Sequence, residues 1–184
     1  MNISKLIWSV RCLVYGIVAH ISFPGYIGRP MYISRLSGLR IQKKVRIYPG
    51  LRVEICSKRA EVIIGENTSI GQNFHVVAYS RPLKIGKNVT ISGNVFITNC
   101  DHSYKELDKH VLDQDVIEND TIIGDNCFIG YGSVILAGTR LGKQCIVGAN
   151  SVVRGDYPDY CVIAGNPARI IRKYKKELNL WERV

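Results

Sequence analysis

The sequence predicts an all-β solenoid built from six-residue units. Between residues 123 and 154 an aliphatic residue stands at 123, 129, 135, 141, 147 and 153, six apart each time. Glycine follows it at 124, 130, 142 and 148, and a small residue lies four after it at Cys127, Ser133, Thr139, Cys145 and Ser151. Neither the helical period nor simple strand alternation produces a strict six. A short fixed repeat is the mark of a solenoid, in which each unit buries its apolar side only against the next. Six residues give one short strand and one corner, and three such units close a triangular coil. The aliphatic residue points inward, and Asn or Gly at the corners tolerates positive φ. Cys127 and Cys145, three units apart, belong on the same corner of successive coils.

Taken in order, residues 1–22 read as an amphipathic helix: Ile3, Leu6, Ile7, Val10, Leu13, Val14, Ile17, Val18 and Ile21 form one stripe, with Lys5 and Arg11 off it. Such a stripe packs on the solenoid or a neighbouring subunit, or lies on an anionic membrane surface. Residues 23–30 hold two prolines and two glycines and read as a connector, closing an N-terminal unit of 1–30. Repeat character is faint at Leu39, Val45 and Leu51 and clear at Ile64 and Ile70. It breaks over residues 76–84 and resumes at Ile85, Ile91 and Ile97. The polar segment 103–119 lacks the period and reads as a loop thrown out of a solenoid spanning 31–168. After a Pro/Gly turn at 157–167, the basic residues 169–184 suggest a short helix capping the solenoid's open end.

One domain accounts for 184 residues. A net charge of +10 favours anionic partners, and the absence of any helix-turn-helix, finger or aromatic RNA-binding motif argues against nucleic acid. Six cysteines without a CxxC pair read as small core filler in a reducing cytosol rather than as zinc ligands or disulfides. The apolar run at 6–23, interrupted by Arg11 and His20, is expected to be neither a cleaved signal nor a membrane span.

The [IV]-G-x-N-x-x units, the loop following Asn99-Cys100-Asp101-His102, and the ending Ala164-Gly165-Asn166-Pro167-Ala168-Arg169 together resemble the hexapeptide-repeat acyltransferases. The pattern is most similar to sugar O-acetyltransferases of galactoside, maltose and nodulation type and to those of bacterial surface polysaccharides. The resemblance implies a left-handed parallel β-helix, a homotrimer with active sites between subunits, acetyl-CoA as acyl donor without a required metal, and a sugar or glycan acceptor. The expected location is the cytoplasm, with peripheral contact to the inner membrane through residues 1–22.

It also implies His102 as general base. The physical reason is that a sugar hydroxyl attacks a thioester poorly at neutral pH unless its proton is taken, and imidazole is suited to take it. Oxyanion stabilisation then falls to the Tyr131 backbone amide, where this chain departs from the small hydroxyl residue of the galactoside pattern; Phe128 replaces a Trp. For CoA, the resemblance points to backbone groups of Gly148 and Ala149 for the pantetheine arm and to Arg154, Arg169, Arg172 and Lys173 for the phosphates, which Arg binds by paired hydrogen bonds. Lys175 and Lys176 read as solvated tail.

For the acceptor the candidates are Asn73, Asp101 and Glu106, with Asp108 also in the loop. Asp101 could orient the imidazole or the acceptor, or serve as a corner residue. The asparagine that galactoside enzymes use near Asn73 aligns nearer Val77, a departure that argues against galactoside or maltose. An amino-sugar or antibiotic N-acetyltransferase is an alternative, since an amine also needs a base. A further class is a zinc enzyme of carbonic anhydrase type, which requires three ligands such as His75, His102 and His110 around one ion; a non-catalytic assembly solenoid is another.

Overall fold

The computed structural model describes residues 3–184. It is a prism of stacked coils closed at one end by a helix. Seven parallel two- or three-residue strands form the first face, from His20–Ile21 to Asp156–Tyr157. The second face runs from Tyr26–Ile27 to Cys161–Gly165, and the third from Tyr32–Ile33 to Val152–Val153. In-register columns such as Ile64, Ile85, Ile123 and Leu141 on the first face, or Ile70, Ile91, Ile129 and Val147 on the second, point inward and are buried. Each such aliphatic side chain contributes roughly 1.5–3 kcal/mol by leaving water. The columns form one continuous core, which explains why the six-residue period is so strict.

Two corners are built alike. Between the first and second faces Asn67, Asn88, Asn126 and Gln144 have φ of 58°, 56°, 59° and 54°. Between the second and third faces Asn73, Asn94 and Asn150 do the same, at 55°, 57° and 54°. Asparagine adopts this left-handed turn at little cost. It also stacks: Asn67 Nδ2 donates to Asn88 Oδ1, and Asn73 Nδ2 to Asn94 Oδ1, both at 2.9 Å. At Gly130, leading into the second of these corners, a Cβ would lie 2.5 Å from the backbone nitrogen of Ala149, so only glycine fits.

The third corner is different. From the third face to the first, the chain steps from Ile33 to Ile41, from Val53 to Ile64, from Val76 to Ile85 and from Ile97 to Ile123. No two of these steps are equal, and each is longer than one repeat unit. The extra residues of these coils are inserted here, and the strands on either side keep register.

Four expectations need correction. Coils begin at His20, well before Leu39, so Tyr26–Ile27 inside the expected connector is already a strand paired with Arg46–Ile47. The repeat does not lapse over 76–84: Val76 is a buried inward residue of His75–Ala78, and only the corner 79–82 is longer. The C-terminal segment is not a helix but a β-hairpin, Ala168–Lys175 and Leu180–Arg183, continuing the second face antiparallel. Its Arg, Ile and Tyr residues alternate as a strand, and the terminal coil's unpaired edge supplies the hydrogen bonds that override helix propensity. Finally, among the described residues the N-terminal helix α1 (Ile3–Val18) stops at Val18 rather than running to 22, and it buries the side opposite its aliphatic stripe, with only Cys12 fully buried. Met1 and Asn2 lie outside the described residues.

Cys127 and Cys145 stack on one corner as expected, and Cys161 joins them, with its Sγ 3.5 Å from that of Cys145. Each thiol donates to a backbone carbonyl, Cys127 to Gly142 O and the other two to Pro158 O. All three are buried and free.

Candidate active site

The long insertion leaves the prism as a two-stranded ribbon. Cys100–His102 pairs antiparallel with Val116–Glu118, so His102 faces Val116 and Asp101 faces Ile117. The base of the ribbon is clamped. Buried Asn99 accepts from the Tyr79 N–H and donates to Arg81 O, both at 2.9 Å. Thr121 Oγ1 donates to Thr98 O at 2.8 Å, and Glu118 accepts from the Ser80 N–H at 2.6 Å. Beyond His102, buried Gln114 ties the loop to itself through Glu106 O and Lys109 O. His102 therefore sits at the end of a rigid stem, and its exposed imidazole has no hydrogen-bond partner among the described residues.

Asp101 and His102 point to opposite faces of the ribbon, as neighbours in a strand do. The Asp101 carboxylate accepts from the His102 N–H at 3.1 Å and from the Arg154 guanidinium, two coils further on. It thus holds the ribbon, not the imidazole. Arg154, expected at CoA phosphate, is engaged with Asp101. Glu106, expected at the acceptor, is exposed and bridges Lys109 at 2.8 Å.

The other candidates lie elsewhere. Tyr131 stands on the corner between second and third faces, with its hydroxyl bonded to Asn94, which in turn bonds Asn73. Its carbonyl accepts from the Asn150 N–H at 2.8 Å, whereas its own N–H has no partner among the described residues. Phe128 projects from the second face and is 41% exposed. Gly148 does not suit the expected pairing with pantetheine: its N–H donates to Ile163 O at 2.8 Å and its carbonyl accepts from Ser133 Oγ at 2.9 Å. The neighbouring Ala149 is exposed. In the C-terminal hairpin a bulge at Val162 and Ile163 places Arg169 opposite Ala164 and Arg172 opposite Val162, both on the outer side. Lys173 pairs with Cys161 and is set off from them.

One chain therefore divides the candidates between two edges. Asp101, His102, Glu106 and Arg154 occupy the third-to-first edge. Asn73, Phe128, Tyr131, Ala149, Arg169 and Arg172 occupy the second face and the edge that follows it. Sequence reasoning missed a cluster on the third face: His75 Nε2 lies 2.9 Å and Arg52 Nε 2.7 Å from Glu54 Oε1. Arg52 first, then His75, holds the Glu54 carboxyl below the usual range. Thus His75 is engaged on the third face, while His102 and His110 belong to the ribbon and its loop. Period-two alternation of Arg52, Glu54, His75 and Val77 was the signal that could have found the cluster.

The family described as hexapeptide repeat of succinyl-transferase matches residues 61–99 and 120–154. The Escherichia coli (strain K12) protein WbbJ, named for O-acetyl transfer in lipopolysaccharide biosynthesis, is 33% identical over 162 residues, 84% of this chain and 82% of WbbJ. The chain belongs to the hexapeptide-repeat acyltransferases. Other members of this acyltransferase family are similar over less of their length. The polysialic acid O-acetyltransferase of Escherichia coli O1:K1 / APEC is 31% identical over 70% of this chain and 43% of its own. The galactoside O-acetyltransferase of Escherichia coli (strain K12) is 34% identical over 59% and 55%. Among solved structures, AntD, an N-acyltransferase from Bacillus cereus in complex with dTDP and 3-hydroxybutyryl-CoA, shares the fold. Its TM-score is 0.70 at 19% identity, covering 84% of this chain and 82% of that one. The chain is thus an acyltransferase of β-helical fold, and no described helix is long and apolar enough to cross a membrane.

Proposed function

We propose that the protein transfers an acetyl group from acetyl-CoA to a sugar hydroxyl of a bacterial surface polysaccharide, with His102 as general base. The observation that carries this reading is the unengaged imidazole of His102 at the tip of a clamped ribbon. The acceptor hydroxyl gives its proton to His102 as its oxygen attacks the thioester carbonyl. The Tyr131 N–H, which is open, donates to the oxyanion; a donor of this kind is worth about 3 kcal/mol. The C–S bond then breaks, the acetyl ester remains, and the proton passes from His102 to the departing thiolate. Arg169 and Arg172 present paired donors on one side of the hairpin, a set that fits the anionic nucleotide of CoA.

His102 and Tyr131 lie on different edges, so this chemistry needs the ribbon edge of one copy against the Tyr131 edge of another. A homotrimer supplies that arrangement three times. The reading includes a cytoplasmic location at the inner membrane.

Incubation of lipid-linked glycans and nucleotide sugars with acetyl-CoA, followed by mass spectrometry, tests it. The expected result is one added acetyl group that mild alkali removes and that the His102→Ala variant no longer adds. An alkali-stable product identifies an amide and an amino-sugar acceptor instead. Full transfer by His102→Ala overturns the role of the base.

A further inference from the structure

The chain's carboxylates are all found after residue 53, which weights its net positive charge toward one end. Residues 1–53 hold nine Lys or Arg and no Asp or Glu, whereas the rest of the chain carries sixteen Lys or Arg against 15 Asp or Glu. Residues 1–53, that is α1 and the first two coils, therefore hold the larger uncompensated excess, and the C-terminal hairpin a second, smaller one of six Lys or Arg over two Glu.

At that same end α1 lies across the mouth of the prism. Tyr26 and Gly28 donate to the second coil, so Ile27 between them turns its carbonyl out of the open end. Arg11 caps it, donating to Ile27 O at 2.9 Å. Cys12 is buried beneath the helix, and Trp8 packs against Tyr26 and Tyr48 at 5.7 and 5.9 Å. With this side committed, the opposite side faces away from the prism. There Ile3 and Ile17 are 76% and 84% exposed, and Leu6, Ile7, Val10, Leu13, Val14 and Val18 are about half exposed or more.

The composition of this face selects its occupant. Protein interfaces concentrate their energy in Trp, Tyr and Arg; here Trp8 and Arg11 are turned inward and the outer stripe is Ile, Leu and Val alone. An aliphatic stripe at an end where nine Lys or Arg meet only three carboxylates, Glu61 at Arg40, Glu66 at Lys43 and Lys44, and Glu54 at Arg52, is complementary to an anionic lipid surface. Insertion of the stripe and attraction of the Lys and Arg residues then act together, as stable peripheral binding requires.

We propose that α1 docks the prism end-on to an anionic phospholipid membrane. The coil axis then stands along the membrane normal. The ribbon bearing His102 grows from the fourth coil, three spacings of about 4.8 Å above the first, and α1 adds about 10 Å. His102 is thereby held roughly 25 Å above the lipid. Resting on the acetyltransfer reading, this height selects a lipid-linked glycan long enough to reach it over one that carries a single sugar at the headgroup.

Co-sedimentation with vesicles tests the docking directly. Wild-type protein is expected to pellet with vesicles of phosphatidylglycerol and phosphatidylcholine, and at least about tenfold less with phosphatidylcholine alone or in 1 M salt. A variant carrying Leu6→Ser, Val10→Ser, Leu13→Ser and Ile17→Ser is expected to lose at least about tenfold in binding. Its rate on a water-soluble acceptor should stay within about twofold, because the stripe lies away from the ribbon and the hairpin, and a folded variant is confirmed by a cooperative melting transition. Lys5→Glu, which leaves the stripe intact, is expected to weaken binding in the same direction. Wild-type protein that stays in the supernatant with anionic vesicles overturns the proposal. So does a wild-type particle twice the mass of the variant without vesicle binding, which would make the stripe a contact between copies. The His102→Ala protein should bind vesicles as wild type does, so a failure of docking and a failure of catalysis are read separately.

Discussion

The guanidinium of Arg154 bonds the carboxylate of Asp101, 53 residues earlier in the chain and one before His102. It ties the protruding ribbon to the last full coil. Both groups are about half exposed, so the pair contributes about 1 kcal/mol or less to stability. Its effect is on position. Arg154→Ala is expected to lower the transfer rate about tenfold with little change in melting, since a misplaced base forfeits near-attack geometry. Exchanging the two, Asp101→Arg with Arg154→Asp, should restore much of the rate in steady-state kinetics. Equal loss from the single and exchanged variants would refute the positioning role.

Arg169 and Arg172 share one side of the hairpin. Replacing both by Ala is expected to raise the KM for acetyl-CoA by about tenfold or more, through loss of charge-assisted bonds to phosphate. The KM for the acceptor should stay within about twofold. Acetyl-pantetheine, which lacks the nucleotide, should be used equally by wild type and variant. A parallel loss with both donors would place the arginines outside the nucleotide site.

Glu54 provides a pH prediction. Arg52 and then His75 hold its carboxyl below the usual range. A depressed carboxyl stabilises the fold at pH values above its unfolded pKa, and that stabilisation is lost as pH falls through the folded one. Glu61, lowered by Arg40, behaves alike. Melting curves between neutral pH and about pH 3 should therefore fall more steeply for wild type than for Glu54→Gln, with the difference confined to the acidic limb below about pH 4.5. Parallel curves would disprove the contribution.

The inward column has little room to adjust. Ile135 is fully buried between Ile97 and Val153. Ile135→Ala is expected to cost about 2–5 kcal/mol, measured by denaturant unfolding. Leu107→Ala, in a side chain that is 88% exposed in the loop, should cost about 0.5 kcal/mol or less.

The residues that announced the fold are those whose environment repeats. Ile123, Ile129 and Ile135 meet the same neighbours one coil up and one coil down, so a single strand's burial pattern is written many times. His20 to Ile33 were harder to read because α1 and two prolines break the spelling of the first coil, although Ile21, Ile27 and Ile33 keep its six-residue step. The hairpin after Ala168 escaped because its strands are long, charged and antiparallel, with no hexad to mark them. The ribbon that carries the proposed base, His102, was legible as an interruption of the repeat. The partner of Asp101 was not, because a contact spanning 53 residues leaves no local pattern. Nor was the engagement of Gly148 by Ser133, which depends on how one corner sits on the next.

The third-to-first corner gives the prism a single seam. The other two edges are locked by asparagine stacks and by glycines that tolerate no added carbon. Along the seam the chain accommodates anything from the short turn between Ile33 and Ile41 to the whole ribbon and loop between Ile97 and Ile123, without disturbing any strand pairing. The seam is also the edge from which His102 projects. Segments can therefore be lengthened, shortened or exchanged beside the proposed base while the core is kept side chain for side chain. If the proposed site is right, grafting a different insertion between Ile97 and Ile123 is the way to change acceptor preference while the core is left as it is.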